Sequence, residues 1–453
     1  MEFNTWAVLT DIGLISVLIL IGFLLRTRFK FIQRMFFPAS IIGGILGLIL
    51  GPNGFSILPF SDQLSSYPGI LIAVVFGLLP FSGGKVSWKK IKEGAGSFWA
   101  YSQSAMIFQW GLGVLFGLVV LKLFWKDLHD GFGLILASGF VGGHGTAAAV
   151  GSSFTDLGWE DASSLAMTSA TVGVVSAILG GMILIKRGAE TGKTSFISPF
   201  KDLSPELRTG LKFPEEQPEL GKETVASISI DSLMLHIGIA AAIAMGGYYF
   251  SSWGSQYLGE VSIPEFSVAF IIGVIINWLF KVTKSSKYIS EKTLSHISGT
   301  STDLLVGFGI ASISLPIVIK YATPLIILFI FGLIFCLITL KLAPKFFESY
   351  WFEKGMFSWG FLTGTMAMGI ALLRILDPEQ KSKTLDDYSI AYLPQAPVEI
   401  IVVTFAPIMI MAGQSWLFVG LSILFGVIVL IVSKVSGFFP SKKRNLKRDV
   451  KTR

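Results

Sequence analysis

Charge is scarce in this chain: 14% of its 453 residues are Asp, Glu, Lys or Arg, against 52% that are hydrophobic. A soluble core of this length would carry far more surface charge, so a globular body is excluded. Cysteine is nearly absent. The single Cys336, set in an apolar run, excludes a disulfide framework and a cysteine-ligated metal cluster. Met1 to Trp6 lacks a basic leader and the first apolar run lacks a small-residue cleavage site, so that run is expected to be a true span, not a signal peptide. No nucleophile, metal cluster or paired catalytic acids stand out in the loops, and no enzymatic activity is expected. The net charge of +7 does not imply a nucleic-acid partner, because the basic residues form short clusters beside apolar runs. The tail from Lys442 to Arg453 likewise reads as a solvated anchor near anionic membrane lipid.

What is abundant is apolar sequence and glycine: mean hydropathy is +0.69 and there are 49 glycines. This describes an all-α polytopic membrane protein, in which small residues let helix backbones approach. Eleven full spans are predicted near 8–26, 36–51, 68–83, 98–123, 163–186, 231–252, 264–281, 297–319, 323–342, 389–411 and 415–433. Two further apolar segments, near 131–155 and 355–375, are broken: G-G-H-G-T-A-A-A-V-G runs from Gly142 to Gly151, and T-G-T-M-A-M-G from Thr363 to Gly369. Non-helical backbone at membrane depth survives only where protein buries it or a watery cavity meets it.

Lys and Arg accumulate in cytoplasmic loops, and the clusters at Arg26–Arg34 and Lys85–Lys92 place the N-terminus outside. The basic stretch from Lys186, and those at Lys281–Lys292, Lys341–Lys354 and the tail, then fall inside only if both broken segments are re-entrant loops. The first enters from outside and the second from the cytoplasm, so two halves of opposite topology are expected, with the C-terminus cytoplasmic. The corresponding division is a first repeat at 1–187, a cytoplasmic linker at 188–229, a second repeat at 230–411, and an extra helix with a basic tail at 412–453. Weak matches support the duplication at a common offset of about 220 to 230 residues. Asp11 pairs with Asp231, Phe37-Pro38 with Ile263-Pro264, V-V-F-G-L-L-P at Val74 with V-G-F-G-I-A-S at Val306, and Gly145-Thr146 with Gly364-Thr365.

F-F-P-A-S-I-I-G-G-I-L-G-L-I-L-G-P from Phe36 to Pro52, followed by G-G-H-G-T-A-A-A, resembles the bacterial glutamate:sodium symporter family. The resemblance implies a secondary transporter of two inverted repeats, each with a re-entrant loop, importing glutamate or a similar acidic amino acid with sodium as the coupling ion. It also implies an elevator mechanism on a dimeric scaffold, in a bacterial cytoplasmic membrane. The extra C-terminal span, the long linker and the form of the second motif depart from the family pattern.

Two opposed re-entrant tips would aim backbone amides and carbonyls at one small volume. Amides at helix N-termini suit a carboxylate, and carbonyls suit sodium. Gly142, Gly143, Gly145 and Gly364 allow close backbone approach, while Thr146, Thr363 and Thr365 add hydroxyls. His144 can bind substrate, relay a proton or brace the loop; His129, His236 and His296 read as packing. Asp303 with Ser301 and Thr302 can ligate sodium or cap a helix start, and Glu399, a turn beyond Gln395, is a sodium candidate or a headgroup-level carboxylate. Thr365 belongs to both sets. Ser102, Gln103, Ser104 and Gln109 make a polar stripe that either lines the path, Gln103 foremost, or bonds neighbouring helices. Arg374, nine residues past Thr365, lies about 13 Å from the tip and is expected to pair with Asp377.

Accumulating an anion a thousandfold costs about 4.1 kcal/mol, plus about 2.3 against 100 mV. One sodium entering down a tenfold gradient supplies about 3.7, so at least two ions per substrate are expected. Two alternatives remain: a cation-only sodium/proton antiporter, which would want a deep acidic pair, and a carrier of another organic anion such as a dicarboxylate.

Overall fold

A computed structural model describes all residues except 1–4, 35–36, 83–94, 197–208, 213–214, 216, 218, 259–263, 378–379 and 440–453. The Lys85–Lys92 cluster, the basic tail and parts of the linker therefore lie outside the described residues. Every regular element among the described residues is a helix.

The apolar run of α1 (Thr5–Arg28) ends on Arg26 and Arg28. Pro38 precedes α2 (Ala39–Leu50), and α3 (Tyr67–Leu78) carries Pro68 in its first turn, where a missing N–H leaves no helical bond unmade. α4 (Gly96–Phe116) continues through a π-helical turn to Phe124. A broken pair follows, α5 (Leu134–Gly139) and α6 (Gly143–Asp156), and then the long α7 (Ala162–Glu190). The second half repeats this order with α8 (Ser232–Leu258), α9 (Glu265–Val282), α10 (Glu291–Ala311), a short α11 (Leu315–Lys320) and α12 (Ala322–Leu342). It too has a broken pair, α13 (Trp351–Thr363) and α14 (Met366–Leu376), and a long helix, α15 (Thr384–Met411). α16 (Ser415–Val435) follows outside this order.

Eight helices among the described residues are long and apolar enough to cross a membrane. The three other predicted spans differ for visible reasons. α2 and α3 are apolar but have 12 residues each, about 18 Å of helix against a hydrocarbon layer of about 30 Å. The 297–319 segment breaks at residues 312–314 into α10 and α11.

The helices sort into two groups. The first three of each half, α1–α3 and α8–α10, pack on one another. Their cores are small: Ala73, Leu78, Ile243 and Ala269 on one side, Ile15, Leu18 and Phe308 on the other. Glycines set the spacing here, since a β-carbon on Gly273 would lie 2.1 Å from the Gly77 carbonyl oxygen of α3. The remaining long helices and both broken pairs form a second group around one large core. The extra helix is built into that second group, lying along α4 where Gly111 meets Ser422 and Gly426 meets the Phe108 ring. Burial differs accordingly. Most of α4 is inside the protein (61%), whereas α1, α8 and α9 each bury only 22% of their apolar span.

Candidate functional site

Both broken segments are helical hairpins. In the first, residues 129–131 at the base touch residues 154–159 near the end of α6: His129 stacks on Trp159 at 4.0 Å, and a β-carbon on Gly131 would meet the Phe154 ring at 2.7 Å. The chain reverses at residues 140–143, where Gly143 takes φ +64°, a left-handed backbone that a β-carbon disfavours. In the second, α13 and α14 pack backbone to backbone, a β-carbon on Gly360 falling 2.5 Å from the Gly369 nitrogen. Its reversal is two residues long. Thr365 is extended there, and its hydroxyl accepts the Met368 N–H (3.4 Å), capping α14.

The two reversals, more than 200 residues apart, touch. A β-carbon on Gly143 would lie 2.3 Å from Thr365 Cγ2 and 3.0 Å from the Gly364 carbonyl oxygen. Beside this contact is a cavity of about 240 Å³ at the seam between the two helix groups. The hairpin group contributes Gly142, His144, Gly145 and Thr146 from the first tip, Thr365 from the second, and Tyr392, Ala396, Glu399 and Ile400 from α15. The other group contributes Val75 and Phe76 of α3, Leu79 just beyond it, and Thr302 and Val306 of α10.

Most of the residues predicted from sequence therefore converge. Gly142, His144, Gly145, Thr146, Thr302, Thr365 and Glu399 line the cavity, and Gly143 and Gly364 form the contact beside it. Others do not. Thr363 is fully buried, its hydroxyl donating to the Trp359 carbonyl (2.6 Å) and its own carbonyl pressed against Gly173 of α7. Ser301 is buried away from the cavity, and Asp303 is exposed beside Ser40 of α2. The polar stripe of α4 serves helix packing: Ser102 donates to Gln395 (2.8 Å) and Gln109 to the Leu362 carbonyl (3.1 Å). Gln103 is fully buried outside the cavity lining, with no hydrogen-bond partner among the described residues. Gln395 faces α4 and not the cavity, although Glu399 is one turn away. The carboxylate of Asp377 accepts the Lys381 and Ser382 backbone N–H groups (2.9 and 2.7 Å), so the pairing expected for Arg374 is replaced by a local turn.

Tyr392 is the polar residue that sequence reasoning missed; its hydroxyl donates to Glu399 Oε2 at 3.3 Å. The signal was the seven-residue spacing, two turns on one helix face. His144 is held by Thr171 of α7, Nε2 to Oγ1, 3.2 Å. The Thr171 hydroxyl spends its one proton on the Met167 carbonyl (2.9 Å), so it accepts from Nε2–H of His144. No side chain caps α6, so the amides of its first turn stay open beside the cavity, at the positive end of a 14-residue helix.

A second, larger cavity of about 460 Å³ lies farther along the same seam, with Ser152, Asp156 and Glu160 on one side and Ser65, Gly69 and Glu265 on the other. Ile72, almost fully buried, packs toward Gly145 between the two cavities, 3.4 Å from where a β-carbon on that glycine would sit.

The family model described as sodium/glutamate symporter matches residues 3–349. The chain belongs to the sodium/glutamate symporter family. Membership and the eight apolar helices make it a multi-pass membrane transporter with sodium and glutamate as the implied cargo. The match spans the first hairpin and the α3 and α10 walls of the symporter's cavity, and stops before the second hairpin and α15. No curated protein matches the chain.

Proposed function

We propose that this symporter imports glutamate or a closely similar acidic amino acid together with sodium, binding both where the two hairpin tips meet. The observation that carries this reading is the contact of Gly143 with Thr365 beside a cavity whose walls come from both halves and both helix groups. Open amides of the first α6 turn and the Thr146 hydroxyl suit a carboxylate. Hydroxyls of Thr302 and Thr365, with carbonyls of the unwound tips, are the oxygens offered to sodium.

The hairpins are re-entrant in this reading, the repeats inverted, and the N-terminus outside with the C-terminus in the cytoplasm of a cell whose inner membrane holds the protein. The hairpin group travels against α1–α3 and α8–α10, carrying the cavity past Ile72 toward the larger cavity that holds Asp156, Glu160 and Glu265, or away from it. The lightly buried faces of α1, α8 and α9 suit a stationary scaffold that meets lipid and a second copy. A cation-only antiporter is the weaker reading, because the cavity lining carries one acid and not a pair.

Uptake of radiolabelled glutamate into proteoliposomes, with and without an inward sodium gradient, tests the proposal. Sodium-dependent uptake with at least two ions per glutamate is expected. Uptake indifferent to sodium overturns symport, and a one-to-one ratio overturns the stoichiometry.

A further inference from the structure

The cavity contains a charge that an anionic cargo should avoid. Among the described residues Glu399 is the only Asp, Glu, Lys or Arg in its lining. The one hydrogen bond to its carboxyl group among these residues comes from Tyr392. A carboxyl held away from bulk water stays ionised only with a cation or several donors, and otherwise keeps its proton. Among the described residues no ion pair supplies that cation, so an ionised Glu399 needs one from the ligand.

Two cations are at hand in symport, sodium and the substrate ammonium, and the walls distinguish them. A sodium ion stripped of water needs a shell of several oxygens. Around Glu399 on α15 the cavity is lined by Ala396 and Ile400, and the other group adds the hydrocarbon of Val75, Phe76, Leu79 and Val306. The three threonine hydroxyls of the lining come from the two tips and α10, none from α15. An ammonium asks for less: three N–H donors shared between one carboxylate and a tyrosine oxygen, both on α15. The cavity is therefore bipolar, with open amides at the α6 terminus and acceptors on α15.

We propose that Glu399, held by Tyr392, receives the α-ammonium of the substrate and thereby selects amino acids over dicarboxylates. This rests on the symport reading above and names the feature of the cargo read by the part of the chain beyond residue 349, outside the family match.

The test compares L-glutamate with glutarate, the same dicarboxylate without the ammonium, for binding to the purified full-length protein in sodium-containing nanodiscs. Wild type should hold glutamate roughly a hundredfold more tightly than glutarate, the scale of a charge-assisted hydrogen bond left unmade. Glu399→Gln should lose most of that ratio by weakening glutamate alone; unchanged glutarate binding shows that the fold and the carboxylate end are intact. Tyr392→Phe should narrow the ratio several-fold. A Glu399→Gln protein that keeps the wild-type ratio while its sodium dependence shifts overturns the assignment and makes Glu399 a sodium ligand. Wild-type protein that binds both compounds equally overturns the ammonium assignment but leaves carboxylate transport standing. Binding of neither compound overturns the symport reading, and this inference with it.

Discussion

The two hairpin tips occupy corresponding places in the two halves, yet they are built for different work. The first reverses through a left-handed glycine, leaves the first turn of α6 without a capping side chain, and sends four residues into the cavity wall. The second reverses in two residues, caps its own helix with Thr365, and sends only that residue into the wall. Its other polar groups are turned to α7, where Gly173 receives the Thr363 carbonyl and the Trp359 indole donates to the Ala177 carbonyl (3.1 Å). The two tips thus differ in build, and in the proposed reading the first presents backbone to the ligand while the second serves as the wall against which it is held.

The sharpest way to break this comparison is substitution at the contact. Gly143→Ala forces a side chain into a left-handed backbone and into Thr365 Cγ2. Strain of this kind is worth about 1–3 kcal/mol before the clash is counted. Uptake should fall at least roughly a hundredfold while the protein still inserts, as read by membrane-fraction yield. Adding Thr365→Ser removes the clashing methyl and should restore part of the loss, never all, because the backbone strain remains. Full recovery would mean that sterics, and not the left-handed turn, matter at Gly143.

Thr146→Val keeps the shape of the first tip and removes its hydroxyl. A lost hydrogen bond of about 1–1.5 kcal/mol predicts a roughly tenfold weaker apparent affinity for glutamate in competition uptake. The second tip should respond in sodium dependence and, through its helix cap, in stability. Thr365→Ala deletes the α14 cap and should lower unfolding stability by about 1 kcal/mol, visible as a lower thermal midpoint in detergent. Gly364→Ala should be mildest, since its backbone needs no left-handed turn and its nearest neighbours, Ala177 Cβ and Met368 Cγ, are 3.0 Å away. If Gly364→Ala were as damaging to uptake as Gly143→Ala, the division of labour between the tips would be wrong.

The hairpin tips were legible in the sequence because glycine and threonine interrupt an otherwise apolar run, and in lipid an interruption needs a reason. The helix order and the place of the extra span were legible on the same grounds. Other features were hidden for equally physical causes. Apolar residues run past the ends of α2 and α3 into the loops, so hydropathy reads them as full-length spans. Val75, Phe76 and Leu79 look like any lipid-facing or core residues; only the docking of α3 across the seam makes them a cavity wall. Gln103 and Tyr392 show the limit most plainly. Both are polar residues on apolar helices, and the packing of α4 and α15 directs one into a closed interior and the other toward Glu399.

The touching tips also set a time order for the maturing chain. Residues 142–146 are synthesised well before residues 365 and 392–400. At ordinary rates of translation, about 5–20 residues per second, the interval is roughly 10 to 50 s. During it the first tip has no partner for Gly143 and no α15 wall. The uncapped turn of α6 and the His144 ring then rest against α3, made earlier, and α7, whose Thr171 already holds that histidine. A nascent chain halted before Thr363 lacks Thr365 and the α15 wall, so the cavity closes only when the last part of the protein folds back onto the first.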